Sequence, residues 1–322
     1  VLKRHVRRLI LAIGVISSTS FVAVPTVSAD SVAARQVDMT VYSAAMNRHI
    51  PLRVLRPADD SVPRPTFYLL AGVDGGEDGG GWLSRTDVVS FFADKNVNVV
   101  LPLAGEASEY TDWQRDDPVL GRNKWATFLT AELPSVIDAT FHTSGRNAIA
   151  GLSMSATAVL NLAIGAPGMY QAVGSYSGCA RTSDLAGRGL VWQQVTGSHG
   201  NPINMWGQWD DPDWVAHDPF LRAAELRGTT LYISAGTGVP GPHEVLNSRG
   251  VDGSPALLVD RISVGGVFEA HVNDCTREFA SRLSSLGIPA TVDLQPVGTH
   301  SWPYWQDALH RSWPVLARAI CA

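Results

Sequence analysis

The chain has 322 residues, of which 45% are hydrophobic and 17% charged, with a formal net charge of −5 at neutral pH. A chain of this size suits one large α/β domain. An acidic protein with no Lys/Arg cluster past its first residues lacks the electrostatic footprint for nucleic acid or anionic lipid surfaces. Residues 1–29 read as an export signal rather than as part of the fold. Lys3, Arg4, Arg7 and Arg8 make a basic start, residues 9–16 are apolar, and Val27-Ser28-Ala29 offers small residues for cleavage before Asp30. The apolar run is too short for a membrane span, so no transmembrane segment is expected. Sec export is the default expectation, although Arg7-Arg8 also fits the twin-arginine route. Removing those four basic residues takes the formal charge from −5 to −9 for a mature domain of residues 30–322, expected outside the cytoplasm.

In chain order, strand-like runs fall at residues 39–42, 52–55, 66–70, 97–103, 148–150, 172–175, 230–234 and 290–297. Helical stretches are expected at 87–94, 125–140, 156–166 and 273–286. The first two strands read as a hairpin. The later alternation of strand and helix implies parallel strands with crossover helices, the pattern of an α/β-hydrolase: one mostly parallel sheet flanked by helices in a single domain. Residues 187–218 break that rhythm with turns and tryptophans, and are expected to form an insertion over the strand ends, where such sheets bind ligands. Several of the ten tryptophans sit among polar and glycine residues, which suits a sugar or lipid cleft as well as packing.

Gly151-Leu152-Ser153-Met154-Ser155 stands between an apolar strand and an Ala-rich helix. That context gives a G-x-S-x-G-like match its meaning, because the sharp turn exposes the serine oxygen. Ser155 replaces the usual last glycine. A serine nucleophile needs a base, and the base needs an acid to hold its tautomer. The order expected on this fold is Ser, then Asp/Glu, then His. His300 follows the last strand-like run and is the expected base. His49, His142, His199, His217, His243, His271 and His310 are less suitably placed. Glu244, Asp252, Asp260, Glu269 and Asp274 all remain open as the acid on spacing alone. The oxyanion hole is expected from the Met154 N–H and from the glycine-rich loop 70–76, with Val73 or a neighbour donating. No C-x-x-C or H-E-x-x-H spacing is present, so neither a metal nor another cofactor is expected. Cys179, Cys275 and Cys321 are most simply arranged as one disulfide and one free thiol.

These residues carry a resemblance. The chain is similar to the secreted mycolyltransferases of bacteria with mycolic-acid envelopes, the antigen 85 family of α/β-hydrolases, across nearly the whole mature chain. The likeness is most specific at residues 151–154, at Gly298-Thr299-His300-Ser301-Trp302-Pro303-Tyr304-Trp305 and in the run 124–134. It is carried also by Tyr110 with Asp112-Trp113 and by the stretch from Met205-Trp206-Gly207 to Asp218-Pro219. It places the nucleophile on Ser153, the base on His300, the acid on Glu269 and the oxyanion donors on Val73 and Met154. Trp302 falls on a tryptophan lining the acceptor pocket, and Ser301 and Asp74 stand with it as candidate substrate contacts. The reaction implied is acyl exchange through an acyl-serine. The mycolyl group passes from trehalose monomycolate to a second trehalose mycolate, to arabinogalactan or to another envelope acceptor, so the partners implied are glycolipids and cell-wall glycan. Ala71 and Asp74 occupy the places of an aspartate and an arginine that contact trehalose in better-known members. A Cys179–Cys275 disulfide is expected to fix the acid-bearing loop. The alternatives are a secreted carboxylesterase on the same fold and a non-catalytic envelope-binding or adhesion protein.

Overall fold

The computed structural model describes residues 35–77 and 81–322. The expected export signal and its cleavage point lie outside the described residues. Eight strands form one sheet: β1 (Gln36–Ser43), β2 (Arg48–Leu55), β3 (Thr66–Leu70), β4 (Asn98–Pro102), β5 (Asn147–Leu152), β6 (Tyr170–Tyr176), β7 (Thr230–Ala235) and β8 (Ala290–Leu294). Their spatial order is β1-β2-β4-β3-β5-β6-β7-β8. The first two strands pair as the antiparallel hairpin expected, β2 is antiparallel to β4, and every pairing from β4 through β8 is parallel. Strands β3, β4 and β5 are buried along their whole length, because helices cover both faces of a parallel sheet.

The five longer helices are α1 (Leu133–Phe141), α2 (Met154–Gly165), α3 (Leu185–Gly197), α4 (Gly266–Ser285) and α5 (Trp302–Ile320). On one face, Leu133 and Ile137 of α1, Val159 and Leu162 of α2, and Phe279 and Leu283 of α4 share a core with Tyr68 and Val100 of the sheet. On the other, Leu309, Trp313, Leu316 and Ile320 of α5 pack against Phe67, Val99 and Ala148. The spacing of those four α5 residues is the apolar stripe of an amphipathic helix. Each fully buried side chain of this size contributes roughly 1.5–3 kcal/mol. Helix α2 is buried nearly all round, which its run of Ala, Val, Leu and Ile permits.

Several expectations change. The stretch 87–94 holds only a single turn, Val88–Phe91, set off from the preceding turn Trp82–Arg85 where the extended Thr86 interrupts the helical backbone. The strand expected to reach 297 stops at Leu294, and Thr237 Oγ1 donates to the Pro296 carbonyl just beyond it. Helix α4 starts at Gly266, not 273, and follows directly from Pro255–Asp260 and a π turn, Arg261–Gly265. Its adjacent glycines argue for a helix break by propensity. Gly266 is needed because the helix start touches the β7 exit loop: a Cβ there would stand 2.7 Å from the Gly238 carbonyl oxygen. The tryptophans of the insertion are largely core rather than cleft. Trp113, Trp206 and Trp214 are fully buried together, and Trp206 meets Trp214 edge to face at 5.2 Å. Among the described residues no helix is long and apolar enough to cross a membrane.

Candidate active site

Ser153 sits on the turn from β5 into α2 with φ 53° and ψ −120°, a backbone conformation unfavourable to any side chain. Two neighbours hold it there. A Cβ on Gly151 would meet the Ser155 hydroxyl at 2.4 Å, so strand and helix approach closely only with glycine at 151. Ser155 is itself fully buried. Its Oγ accepts from the Leu152 N–H at 2.9 Å and lies 3.0 Å from the Leu152 carbonyl oxygen. The serine in place of glycine is thus a brace for the turn.

His300 lies in the loop between β8 and α5. Its N–H donates to the Gly265 carbonyl at 3.1 Å. The preceding Thr299 donates to Glu244 Oε1 at 2.7 Å, and the Tyr304 hydroxyl donates to Glu244 Oε2. Phe268 and Trp305 flank the imidazole at 4.5 and 4.8 Å between ring centroids. His300 Nε2 is 2.8 Å from Ser153 Oγ, and Nδ1 is 2.7 Å from Glu269 Oε2. With Nδ1–H donating to the carboxylate, Nε2 keeps the lone pair that can accept the Ser153 proton.

Glu269 is only 1% exposed and is fixed by what surrounds it. Its Oε1 accepts from the Ser177 hydroxyl and from the Gly236 N–H, both at 2.7 Å. Asn273, one turn along α4, donates to the Gly236 carbonyl at 2.6 Å and so holds that donor. The buried carboxylate thus meets three donors, which satisfy its oxygens in place of water. Glu269 therefore reaches His300 from inside a helix rather than from a loop. The Cys179–Cys275 bridge (Cα–Cα 5.0 Å) ties that helix to the segment after β6. Cys321 is free and exposed.

The other candidates distribute as follows. Met154 opens α2, so its N–H belongs to the first helical turn and has no intrahelical partner. Gly72 backs onto the serine, a Cβ there standing 3.8 Å from the Ser153 Cβ. Next to it, the Val73 carbonyl accepts from the Ala107 N–H at 2.8 Å, which orients the loop. Ser153, His300, Val73, Ser301 and Trp302 all line one cleft of about 650 Å³. Asp74 is not among its lining residues, and Asp74 Oδ1 accepts from the Gly76 N–H at 3.0 Å. Of the competing histidines, His243 pairs with Asp307, His310 with Asp87, and His217 stacks on Trp206. Sequence reasoning missed Ser177, Gly236 and Asn273, which hold the acid. They come from three separate elements, and nothing in their spacing announces a common partner. It also missed Leu257, Arg261 and Val264, which line the cleft.

The sheet order, the strained serine turn and the Ser153–His300–Glu269 hydrogen-bond chain define an α/β-hydrolase of the esterase class. Residues 43–315 match the family described as putative esterase. The chain is 31% identical to the diacylglycerol acyltransferase/mycolyltransferase Ag85A of Mycobacterium tuberculosis, over 88% of this chain and 81% of that protein. It is 30% identical to the Ag85B protein of Mycobacterium leprae, over 88% and 84% of the two chains. Among solved structures it is similar to Mycobacterium tuberculosis MPT51 (FbpC1), with a TM-score of 0.71 and 25% identity over 88% of this chain and 98% of that one. The fold is shared also by the Staphylococcus aureus serine hydrolase FphF, at a TM-score of 0.61 and 17% identity. The chain belongs to the antigen 85 family of esterase-like α/β-hydrolases.

Proposed function

We propose that the chain is an exported acyltransferase that carries a mycolyl group on Ser153 and passes it to a sugar hydroxyl of the cell envelope. Ser153 Oγ attacks the ester carbonyl of a trehalose monomycolate while His300 Nε2 takes its proton. Glu269 holds the tautomer and stabilises the imidazolium. The Val73 and Met154 N–H groups receive the developing oxyanion. The tetrahedral intermediate collapses, and His300 returns the proton to the departing trehalose. The hydroxyl of a second trehalose mycolate or of arabinogalactan then gives its proton to His300 and attacks the acyl-serine; the acyl–Oγ bond breaks, His300 returns that proton to Ser153 Oγ, and the new ester leaves.

The observation that carries this reading is the Ser153–His300–Glu269 chain, with both contacts of His300 below 3 Å, at the wall of a large cleft. The names of the relatives support mycolyl transfer as the reaction. Trp302 and Ser301 line the cleft beside His300, a position from which they can seat the acceptor sugar and keep water from its place. Ala71 and Asp74 stand where trehalose contacts are expected, so acceptor choice is read as differing here. Residues 1–29 serve as the export signal and 30–322 as the working domain.

The test is incubation of the purified mature chain with trehalose monomycolate. Dimycolate formation supports transfer, whereas free mycolic acid alone assigns a carboxylesterase. Ser153→Ala is expected to abolish either product, and a serine-directed phosphonate is expected to label Ser153. Labelling elsewhere overturns the assignment.

A further inference from the structure

Beside Ser153 a side pocket of about 20 Å³ adjoins the cleft, room for one water-sized group. Ser153, Gln194 and Phe268 line both spaces, so the two meet at the serine. Three residues of the side pocket carry buried polar atoms without a protein partner: Glu109 Oε1, Gln194 Oε1 and Arg181 Nε. Unpaired buried polar atoms are rare because each forfeits its hydration without replacement. Three around one small void point to a polar occupant.

Glu109 is the most unusual of them. It is 4% exposed, and burial pushes its carboxyl up to about 8, so the group is neutral at neutral pH and has an O–H to donate. Arg181 does not counter that burial, because its terminal nitrogens are held by Asp184 and Glu278. The backbone here is also strained: Ala107, Glu109 and Tyr110 have φ of 47°, 53° and 43°. Such positions persist only where the surroundings force them, and they cluster at functional sites. Packing alone is better served by an apolar side chain on an ordinary backbone.

We propose that this side pocket is a subsite for one neutral hydroxyl group carried on the acyl chain within a few bonds of its carbonyl, and that Glu109 is the residue that selects for it. The inference rests on the acyl-serine reading above. A hydroxyl has one donor and two acceptor positions. It donates to Gln194 Oε1 and accepts from the Glu109 O–H and the Arg181 Nε–H, which satisfies all three orphans. A methyl group in the same place leaves them unpaired, and a carboxylate or phosphate is too large for the void. With an unsubstituted acyl chain, a water meets the same partners.

The test compares kcat/KM for p-nitrophenyl esters of matched chain length, unsubstituted, 2-hydroxylated and 3-hydroxylated. Wild-type protein is expected to prefer one hydroxylated ester by about tenfold or more, since a site built to bond a hydroxyl rejects the analogue lacking it. Glu109→Leu is expected to bring that ratio close to one, and Glu109→Gln, which keeps a donor and an acceptor, to retain most of it. Should Glu109→Leu fail to fold, Gln194→Leu on the partly exposed α3 gives the same readout. A wild-type ratio near one, or a ratio unchanged in both leucine variants, overturns the subsite and leaves the void to solvent. Intact-mass measurement separates the two readings. If no ester acylates Ser153, the acyl-serine reading falls and the subsite with it; if all do without preference, only the subsite falls.

Discussion

Cys275 and Glu269 ride on the same helix, α4, and the partner of each lies in the short segment that leaves β6: Cys179 for the sulfur and Ser177 for the carboxylate. The disulfide and the hydrogen bond therefore set one distance, that between the acid-bearing helix and the sheet. Replacing Cys179 and Cys275 with serine opens a constraint of 96 residues in sequence separation. The loss expected is about 2–5 kcal/mol. Thermal unfolding with and without reductant measures it, and turnover is expected to fall with it because Glu269 loses its anchor. Cys321→Ser, at an exposed free thiol, is the control that leaves both unchanged.

Glu269→Gln keeps the shape of the acid but presents an amide to His300 Nδ1, which allows the wrong tautomer. A fall in kcat of about 10⁴ with little change in KM is expected, by analogy with the serine-protease aspartate. Ser177→Ala removes one of the donors to the carboxylate and is expected to give a smaller kcat loss with the same unchanged KM. Steady-state kinetics on a soluble ester, with the phosphonate-labelling rate of Ser153 alongside, checks both. A large KM effect in either variant argues for a substrate contact instead.

The brace at Ser155 is separable from the chemistry. Ser155→Ala leaves the Leu152 N–H without its acceptor in a buried turn, a penalty of about 1–3 kcal/mol. Urea unfolding is expected to show a lower midpoint with an unchanged slope. Slower acylation of Ser153 should accompany it, since the strained turn is then held by fewer bonds.

Glu109 makes stability depend on pH in an unusual direction for a carboxyl. Its folded pKa, about 8, lies above the ordinary 4.5, so the folded state binds the proton more tightly than the unfolded chain. Stability on this account is fullest below 4.5 and falls as pH rises through the window from 4.5 to 8. At about 1.4 kcal/mol per unit the ceiling is roughly 5 kcal/mol. The charged or titratable groups around it are Tyr110, Arg181, His217 and Arg222. The melting temperature of Glu109→Gln relative to wild type is expected to climb across that window, and a gap that stays flat refutes the neutral carboxyl.

The alternation of strand and helix, the serine turn and the position of His300 were legible in the chain, because each is a local pattern. Apolar runs of strand length, small residues at a tight turn and a histidine after the last strand are written in consecutive residues. The acid was not legible by spacing. Five of the carboxylates after β7 stand as candidates, and only the resemblance picks Glu269. The helix carrying it starts seven residues before the stretch the sequence pattern marks, since adjacent glycines such as Gly265 and Gly266 have poor helix propensity. The smallness of Gly266 instead answers the Gly238 carbonyl, which belongs to another segment.

What the sequence by itself determined is the architecture and the placement of Ser153 and His300, which follow from periodicity and turn chemistry. Only the tertiary structure decided how the groups are held and what surrounds them: Ser177, Gly236 and Asn273 around Glu269, the tryptophans drawn into a core of their own, and Glu109 delivered unpaired to the wall beside Ser153. The reason is physical. A hydrogen bond or a burial cost depends on which distant segments meet, and that meeting is set by the sheet, not by any run of neighbouring residues.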